Sequence, residues 1–323
     1  MSQNNSSTLY LGVDVAKDSL EPDPLRLPKL GTLSNCPKGF QRLLKALQSL
    51  VTPTQTPHVI VEATGGYEQA LVNALHQAGM FVSVMPAHRV RDHARSLGKF
   101  GKTDRIDATV ISSYADAAQP RPTEVPSATE KELSELCRRR QQLIELRTRD
   151  GNRAHRHFLK LLLKGAKEIH KLLTAQVKAI DKRIAALRQE DQLFNAKVEA
   201  LAAIEGVGVT TAANTLAAIP ELGTLSRNAT SALAGLAPYP RDSGHHAGRR
   251  FIHGGRVQAR QALYMAALSA SRVNPVLAPF YQRLLQAGKP FKLAITAVMR
   301  RLLIYMNSTL AKLTQTPPAT AAK

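Results

Sequence analysis

Two short apolar runs each end in a carboxylate: Leu9-Tyr10-Leu11-Gly12-Val13 runs into Asp14, and Val59-Ile60-Val61 runs into Glu62. Apolar runs this short read as buried strands. An acidic side chain at the end of such a strand is costly unless something positive neutralises it. Further along, Asp104 and Asp107 stand three apart in Lys102-Thr103-Asp104-Arg105-Ile106-Asp107-Ala108, a spacing that puts both on one helix face. Taken singly, an aspartate at a strand end is usually a cap or turn residue, and Asp104 in a first helical turn also suits the helix dipole. Taken together, two strand ends and a helix pair can converge on hard divalent cations. Magnesium asks for oxygen ligands of this type, and two such ions can clamp both oxygens of a phosphoryl transfer.

The region around these carboxylates alternates between strand and helix patterns. Strands are expected at Leu9–Asp14, His58–Glu62 and Met80–Met85. Helices are expected at Pro37–Leu50, with Phe40, Leu43, Leu44 and Leu47 on one stripe, at Tyr67–Ala78, and from a Thr103 cap through Tyr114. This alternation predicts a layered α/β domain. Glu21–Leu33 makes a poor strand, because Pro22, Pro24 and Pro28 interrupt it. Pro120, Pro122 and Pro126 mark a linker over Gln119–Ser127.

Beyond that linker the pattern turns helical. Leu133, Leu136, Leu143 and Leu146 form one stripe, and Ile169, Leu173, Val177, Ile180, Ile184 and Leu187 another at 3/4 spacing, the signature of a paired seam. A third unit is mostly α. In it, Ile204-Glu205-Gly206-Val207-Gly208 resembles a helix-hairpin-helix turn, whose amides can hold phosphate, although a plain helix–helix turn has the same pattern. Pro238–Gly255 is polar, glycine-rich and cationic and reads as a functional loop between helices. The regions are therefore 1–125, 126–194, 195–313 and a disordered tail at 314–323.

Charge narrows the substrate. The 323 residues include 44 Lys+Arg against 24 Asp+Glu, a formal charge of +20, which favours polyanions through counterion release. The candidates for phosphate contact are Arg138, Arg139, Arg140 and Arg153 in the central helices, and Arg249, Arg250 and Arg256 around the loop. A solvated helix face is the alternative reading of the central stretch. No apolar run approaches the roughly 18 residues of a membrane span, and the polar start has no signal-peptide character. Two isolated cysteines, Cys36 and Cys137, make neither a disulfide framework nor a zinc site, which fits a reducing cytoplasm.

Several motifs in combination resemble the transposases of the insertion-sequence 110 group, relatives of the Piv-type pilin-gene invertases. These are Gly12-Val13-Asp14-Val15-Ala16-Lys17, Val61-Glu62-Ala63-Thr64-Gly65-Gly66-Tyr67 and the Lys102–Ala108 segment. In the C-terminal half they are Gly206-Val207-Gly208, Gly235-Leu236-Ala237-Pro238, Asp242-Ser243-Gly244, Arg260 with Ala262-Leu263-Tyr264, and Gly288-Lys289 with Met299-Arg300. The resemblance implies an RNase-H-like (RuvC-like) N-terminal domain, a helical coiled-coil middle and a mostly α C-terminal transposase domain. It implies Mg²⁺ held by a DEDD set, which falls on Asp14, Glu62, Asp104 and Asp107, and a serine nucleophile, which falls on Ser243.

It further implies an RNA-guided DNA recombinase that joins an element to its target through a covalent serine–DNA intermediate. The partners would be donor and target DNA, a structured non-coding guide (bridge) RNA, and further copies of the chain, a dimer assembling to a tetramer, with no membrane involved. The location would be a prokaryotic cytoplasm, at the nucleoid. By chemistry alone, Ser243 is an ordinary serine beside a turn glycine, and no spacing assigns it a general base. A site-specific invertase, a metal nuclease that only hydrolyses, and a non-catalytic nucleic-acid binder remain the alternatives.

Overall fold

The computed structural model describes residues 7–52, 54–98, 104–156, 158–240, 248 and 250–315; at 7, 104–106, 314 and 315 it describes the backbone alone. The chain divides into two compact units, 1–125 and 126–323.

The first unit is mixed α/β. Its elements are β1 (Ser7–Val15), β2 (Ser19–Pro22), β3 (Leu33–Ser34), α1 (Pro37–Gln48), β4 (Gln55–Glu62), α2 (Gln69–Gln77), β5 (Phe81–Met85), α3 (Ala87–Ser96) and α4 (Asp104–Ala118). The sheet order is β3-β2-β1-β4-β5. β1 pairs antiparallel with β2 and parallel with β4, and β4 pairs parallel with β5. Alternate residues of a strand face opposite sides. Leu11, Val13, Val15, Val59 and Val61 therefore pack with Phe40, Leu43 and Leu47 of α1 and Leu71 and Leu75 of α2. Tyr10 and Ile60, on the other parity, pack with Val90 of α3 and Val110, Ile111, Ala115 and Tyr114 of α4.

Residues 23–32 form no strand, as expected for the proline-rich stretch, but its first two residues end β2, because a tight turn after β1 reverses the chain, with Ala16 N donating to Ser19 O at 2.9 Å. That bond and the one from Asp23 N to Gly12 O, also 2.9 Å, mark the hydrogen-bonded pairs of the ladder. Pro22 lies opposite Val13, between them, at a non-bonded pair where its missing N–H costs the ladder nothing. The stretch read as a linker also runs along β5. Thr123 N donates to Val82 O at 2.8 Å, Val84 N to Thr123 Oγ1 at 3.1 Å, and Ser83 Oγ to Arg121 O at 2.6 Å. These bonds cover a sheet edge that would otherwise be open.

The second unit is mostly helical: α5 (Ala128–Ala154), α6 (Lys160–Glu190), α7 (Gln192–Ala202), α8 (Val209–Ala218), α9 (Arg227–Leu233), a ribbon of β6 (Pro238–Tyr239) and β7 (Phe251–Ile252), then α10 (Val257–Val273), α11 (Leu277–Gln286) and α12 (Phe291–Gln315). A capping box between Ser127 and Glu130 starts α5. Arg183 Nη2 to Glu132 at 2.9 Å and Arg147 Nη1 to Thr174 at 3.3 Å tie α5 and α6 together as an antiparallel hairpin. Leu133, Ile184 and Leu187 of that hairpin share one core with α7, α8, α10 and α12. The hairpin and the helices after it thus form a single unit. Of the expected tail, residues 314 and 315 end α12, and 316–323 lie outside the described residues.

Candidate active site

Asp14 and Glu62 stand side by side at the carboxyl ends of neighbouring parallel strands. The β1–β4 register ends at Val13↔Val61, one residue short of each carboxylate, and both are half-buried. They share the sheet face of Gly12 and Ile60, against which α4 lies.

Gly12 makes that close approach possible. A Cβ there would stand 2.7 Å from Ser112 N and 2.9 Å from Ile111 Cβ, and closer still to the Ala108 carbonyl oxygen. Gly12 N donates to Ser112 Oγ at 2.8 Å. Arg26 bonds both the Tyr10 carbonyl and Asp116. The late part of α4 therefore lies at Tyr10 and its middle at Gly12, so the helix runs antiparallel to β1 and its N-terminal end extends toward Asp14. Asp104 and Asp107 each precede a sheet-facing residue, Ala108 and Ile111, by four positions and share their helix face. Asp107 is half-buried; the side chain of Asp104 lies outside the described residues. Among the described residues no three Asp, Glu, His or Cys side chains come together closely enough to hold a metal ion. The donors facing this end of the sheet are nevertheless carboxylate oxygens, which fit a hard divalent cation.

Three neighbouring residues carry no obvious signal in the sequence. Glu21 lies directly opposite Asp14 across the β1–β2 pair, so a further carboxylate stands on the same face. Glu68 is buried and organises the loop after Glu62: its Oε2 accepts from Thr64 Oγ1 at 2.8 Å, Gly66 N at 2.9 Å and Thr64 N at 3.2 Å. Burial raises the Glu68 pKa, but these bonds and its own backbone amide outweigh that and hold it below the usual carboxylate value. Asn35 Nδ2 donates to Ala16 O at 2.8 Å and to Tyr67 O at 3.2 Å.

In the second unit, Arg241, Asp242, Ser243, Gly244, His245, His246 and Arg249 lie outside the described residues. The expected all-loop stretch is in part a ribbon: Pro238 pairs with Ile252 and Tyr239 with Phe251, and the connection between β6 and β7 contains Ser243. The ribbon's base is tightly built. Gly235 has φ 64°, and a side chain there would collide with Gly254 and Arg260. Arg260 Nη1 donates to Gly254 O at 2.6 Å and Ala234 O at 3.1 Å.

The candidate cations divide into two kinds. Arg138, Arg139 and Arg153 are exposed on α5, and Arg250 is exposed beside β7. Arg140 and Arg256 are committed within the fold. Arg140 Nε bonds Asp181 at 2.6 Å. Arg256 grips both oxygens of Glu221, at 2.7 and 2.8 Å, and the Ala218 carbonyl at 2.9 Å. Burial raises the Glu221 pKa, but Arg256 outweighs it and holds this carboxyl low. These bonds give Arg140 and Arg256 a part in holding the second unit together. Burial pushes the Cys137 thiol up to about 12, which leaves it unreactive.

No helix among the described residues is long and apolar enough to cross a membrane. Residues 11–162 match a model described as Transposase, and residues 198–282 match one described as Transposase IS116/IS110/IS902 family. The chain is also similar to the pilin gene-inverting proteins of Moraxella bovis and Moraxella lacunata. Each is 29% identical over 308 residues, which is 92% of this chain and 94% of the relative.

Proposed function

Because the chain belongs to the IS110 family of transposases and is a DNA recombinase, we propose that it exchanges DNA strands through a carboxylate centre and a serine nucleophile. The observation that carries this reading is the pairing of Asp14 and Glu62 at adjacent strand ends, with α4 laid across Gly12 so that Asp104 and Asp107 lead toward them. In this reading Asp14, Glu62, Asp104 and Asp107 hold Mg²⁺, which when bound neutralises charge developing on the reacting phosphate. The strands and α4 supply rigid placement for these carboxylates; Gly12 supplies the close packing. Neutralising Asp14 or Glu62 by amide substitution tests the reading: recombination should stop while the fold remains.

Ser243 is the proposed nucleophile. Its Oγ attacks a DNA phosphorus and the bond to one deoxyribose oxygen breaks. The serine proton passes to a base, and the departing oxygen takes up a proton. The resulting phosphodiester keeps the bond energy, so a second DNA hydroxyl can displace Ser243 and reseal the strand without a nucleotide cofactor. Support comes from the Asp242-Ser243-Gly244 motif and from the rigid ribbon base from which this connection leaves the fold.

The basic surface, with Arg138, Arg139 and Arg153 exposed, is proposed to hold donor and target DNA and a structured non-coding guide (bridge) RNA. Homo-oligomerisation, a dimer assembling to a tetramer, is proposed through the α5–α6 hairpin. Where the two helices join, it exposes Phe158 (87%) and Leu161 (79%) together with Leu159 and Leu162, and further along α6 Ile169 and Leu172, a concentration of apolar surface unusual for a purely solvated helix pair. The reaction is assigned to the prokaryotic cytoplasm, at the nucleoid. A second reading, programmed inversion of a DNA segment, is favoured by the similarity to the two pilin gene-inverting proteins. Sequencing the products of a reaction on a plasmid carrying the gene's flanking DNA distinguishes insertion from inversion.

A further inference from the structure

We propose that Asn35 is a positioning residue that sets the spacing between the carboxylates Asp14 and Glu62; this rests on the reading of those carboxylates as a metal site. The backbone register joining β1 to β4 ends at Val13↔Val61, just before both acids. Past that point the side chain of Asn35 joins the two segments. The Asn35 amide donates one bond to Ala16 O, two residues after Asp14, and one to Tyr67 O, in the loop that follows Glu62. A primary amide carries two N–H groups on one atom, and both are used here.

Each partner of this cross-tie is itself fixed. Asn35 N donates to Asp18 O at 3.0 Å, which binds it to the same β1–β2 turn. Ser34, before it, pairs with Ser19 in the sheet. After it, α1 presses on Ser34: the Ser34 carbonyl oxygen fills the space where a Gly39 Cβ would stand. On the far side, Glu68 gathers Thr64 and Gly66, so the Tyr67 carbonyl belongs to an ordered loop rather than a loose one. A rigid support on one strand end is thus connected, through Asn35, to a rigid loop on the other. Partners one step removed from a metal's ligands orient those ligands in this way.

The test is Mn²⁺ binding to the full-length protein without DNA, followed by the electron paramagnetic resonance of free Mn²⁺, alongside recombination as a function of Mg²⁺ concentration. Asn35→Ala should raise the half-saturating metal concentration about tenfold, the scale of such outer-shell substitutions. Recombination should approach the wild-type rate at saturating Mg²⁺, a split that general unfolding would not produce. Asn35→Ser, which keeps a hydroxyl before α1 but is too short to span both carbonyls, should behave alike and carries the test if the alanine variant melts early. Wild-type metal affinity in a folded Asn35 variant, with Asp14→Asn clearly weakened, overturns the positioning role. Unchanged Mn²⁺ binding in Asp14→Asn would instead overturn the carboxylate reading itself.

Discussion

Gly12 and Ser112 meet directly: the Gly12 N–H donates to the Ser112 hydroxyl at 2.8 Å, and a Cβ on Gly12 would stand 2.7 Å from the Ser112 nitrogen. The atoms in the way are helix backbone, which cannot rotate aside as a side chain can. Gly12→Ala should therefore push α4 off the sheet, at a cost of about 3 kcal/mol from overpacking. Urea unfolding measures that destabilisation. Recombination should fall further than stability explains, because α4 carries Asp104 and Asp107. An alanine variant with wild-type stability would mean that α4 does not rest on β1 as described.

Asp14→Asn and Glu62→Gln should each abolish recombination while leaving the melting temperature within a few degrees of wild type. The substitutions remove negative charge from a face that also carries Glu21 opposite Asp14, and relieving like-charge repulsion seldom unfolds a domain. Circular dichroism melts and a plasmid recombination assay make the comparison. Recombination at the wild-type rate by either purified variant would remove that residue from the metal site.

The arginines should separate into two classes. Replacing Arg138, Arg139 and Arg153 together by alanine should weaken nucleic-acid binding. The salt slope should fall by about one unit for each phosphate that is no longer neutralised, with little change in stability. Arg256→Ala should do the reverse. It strips Glu221 of its bidentate partner, at a cost of about 2 kcal/mol, and leaves the salt slope alone. The pH dependence carries a sign. Glu221 has a folded pKa below the ordinary glutamate value of 4.5, so its contribution is complete above that value and disappears as pH falls through the folded pKa. Arg256→Ala should lack that acid-side component. A salt slope that drops in Arg256→Ala would return this residue to the nucleic-acid surface.

These two classes also mark the limit of reading the chain as letters. Apolar runs ending in Asp14 and Glu62 were legible because burial and period leave a strong local trace, and so was the α/β alternation. Arg138 and Arg140 look alike in sequence; only the antiparallel return of α6 puts Asp181 beside the second. Glu21 faces Asp14 because a tight turn through Lys17-Asp18 reverses the chain after β1, and Asp18 with Ser19 is only a weak signal for it, with no glycine, asparagine or proline there. Asn35 is similar: its two acceptors, Ala16 and Tyr67, are backbone carbonyls, which any residue supplies and which leave no side-chain signature. The roles of Asn35 and Arg140 depend on pairings between residues far apart in the chain, whereas those of Glu21 and Glu68 depend on how a short segment turns back on itself.

Ser243→Ala tests the second chemical centre independently of the first. The connection between β6 and β7 leaves a base fixed by Arg260 and by the close approach of Gly235 to Gly254, so removing one hydroxyl within it should leave the unit folded. The variant should bind DNA and RNA and assemble as the wild type does. It should form no protein–DNA adduct and no recombinant product, because a recombinase must retain the ends it cuts. Ser243→Cys can retain a trace of adduct, since a thiolate is a competent nucleophile. Denaturing electrophoresis of labelled DNA after reaction gives the answer. A slow-migrating, protease-sensitive band should appear with the wild type and vanish in Ser243→Ala. Its persistence would move the nucleophile to another residue. Free hydrolysed ends from the wild type, with no adduct at any time, would point to attack by water and to a chain that cuts without holding what it has cut.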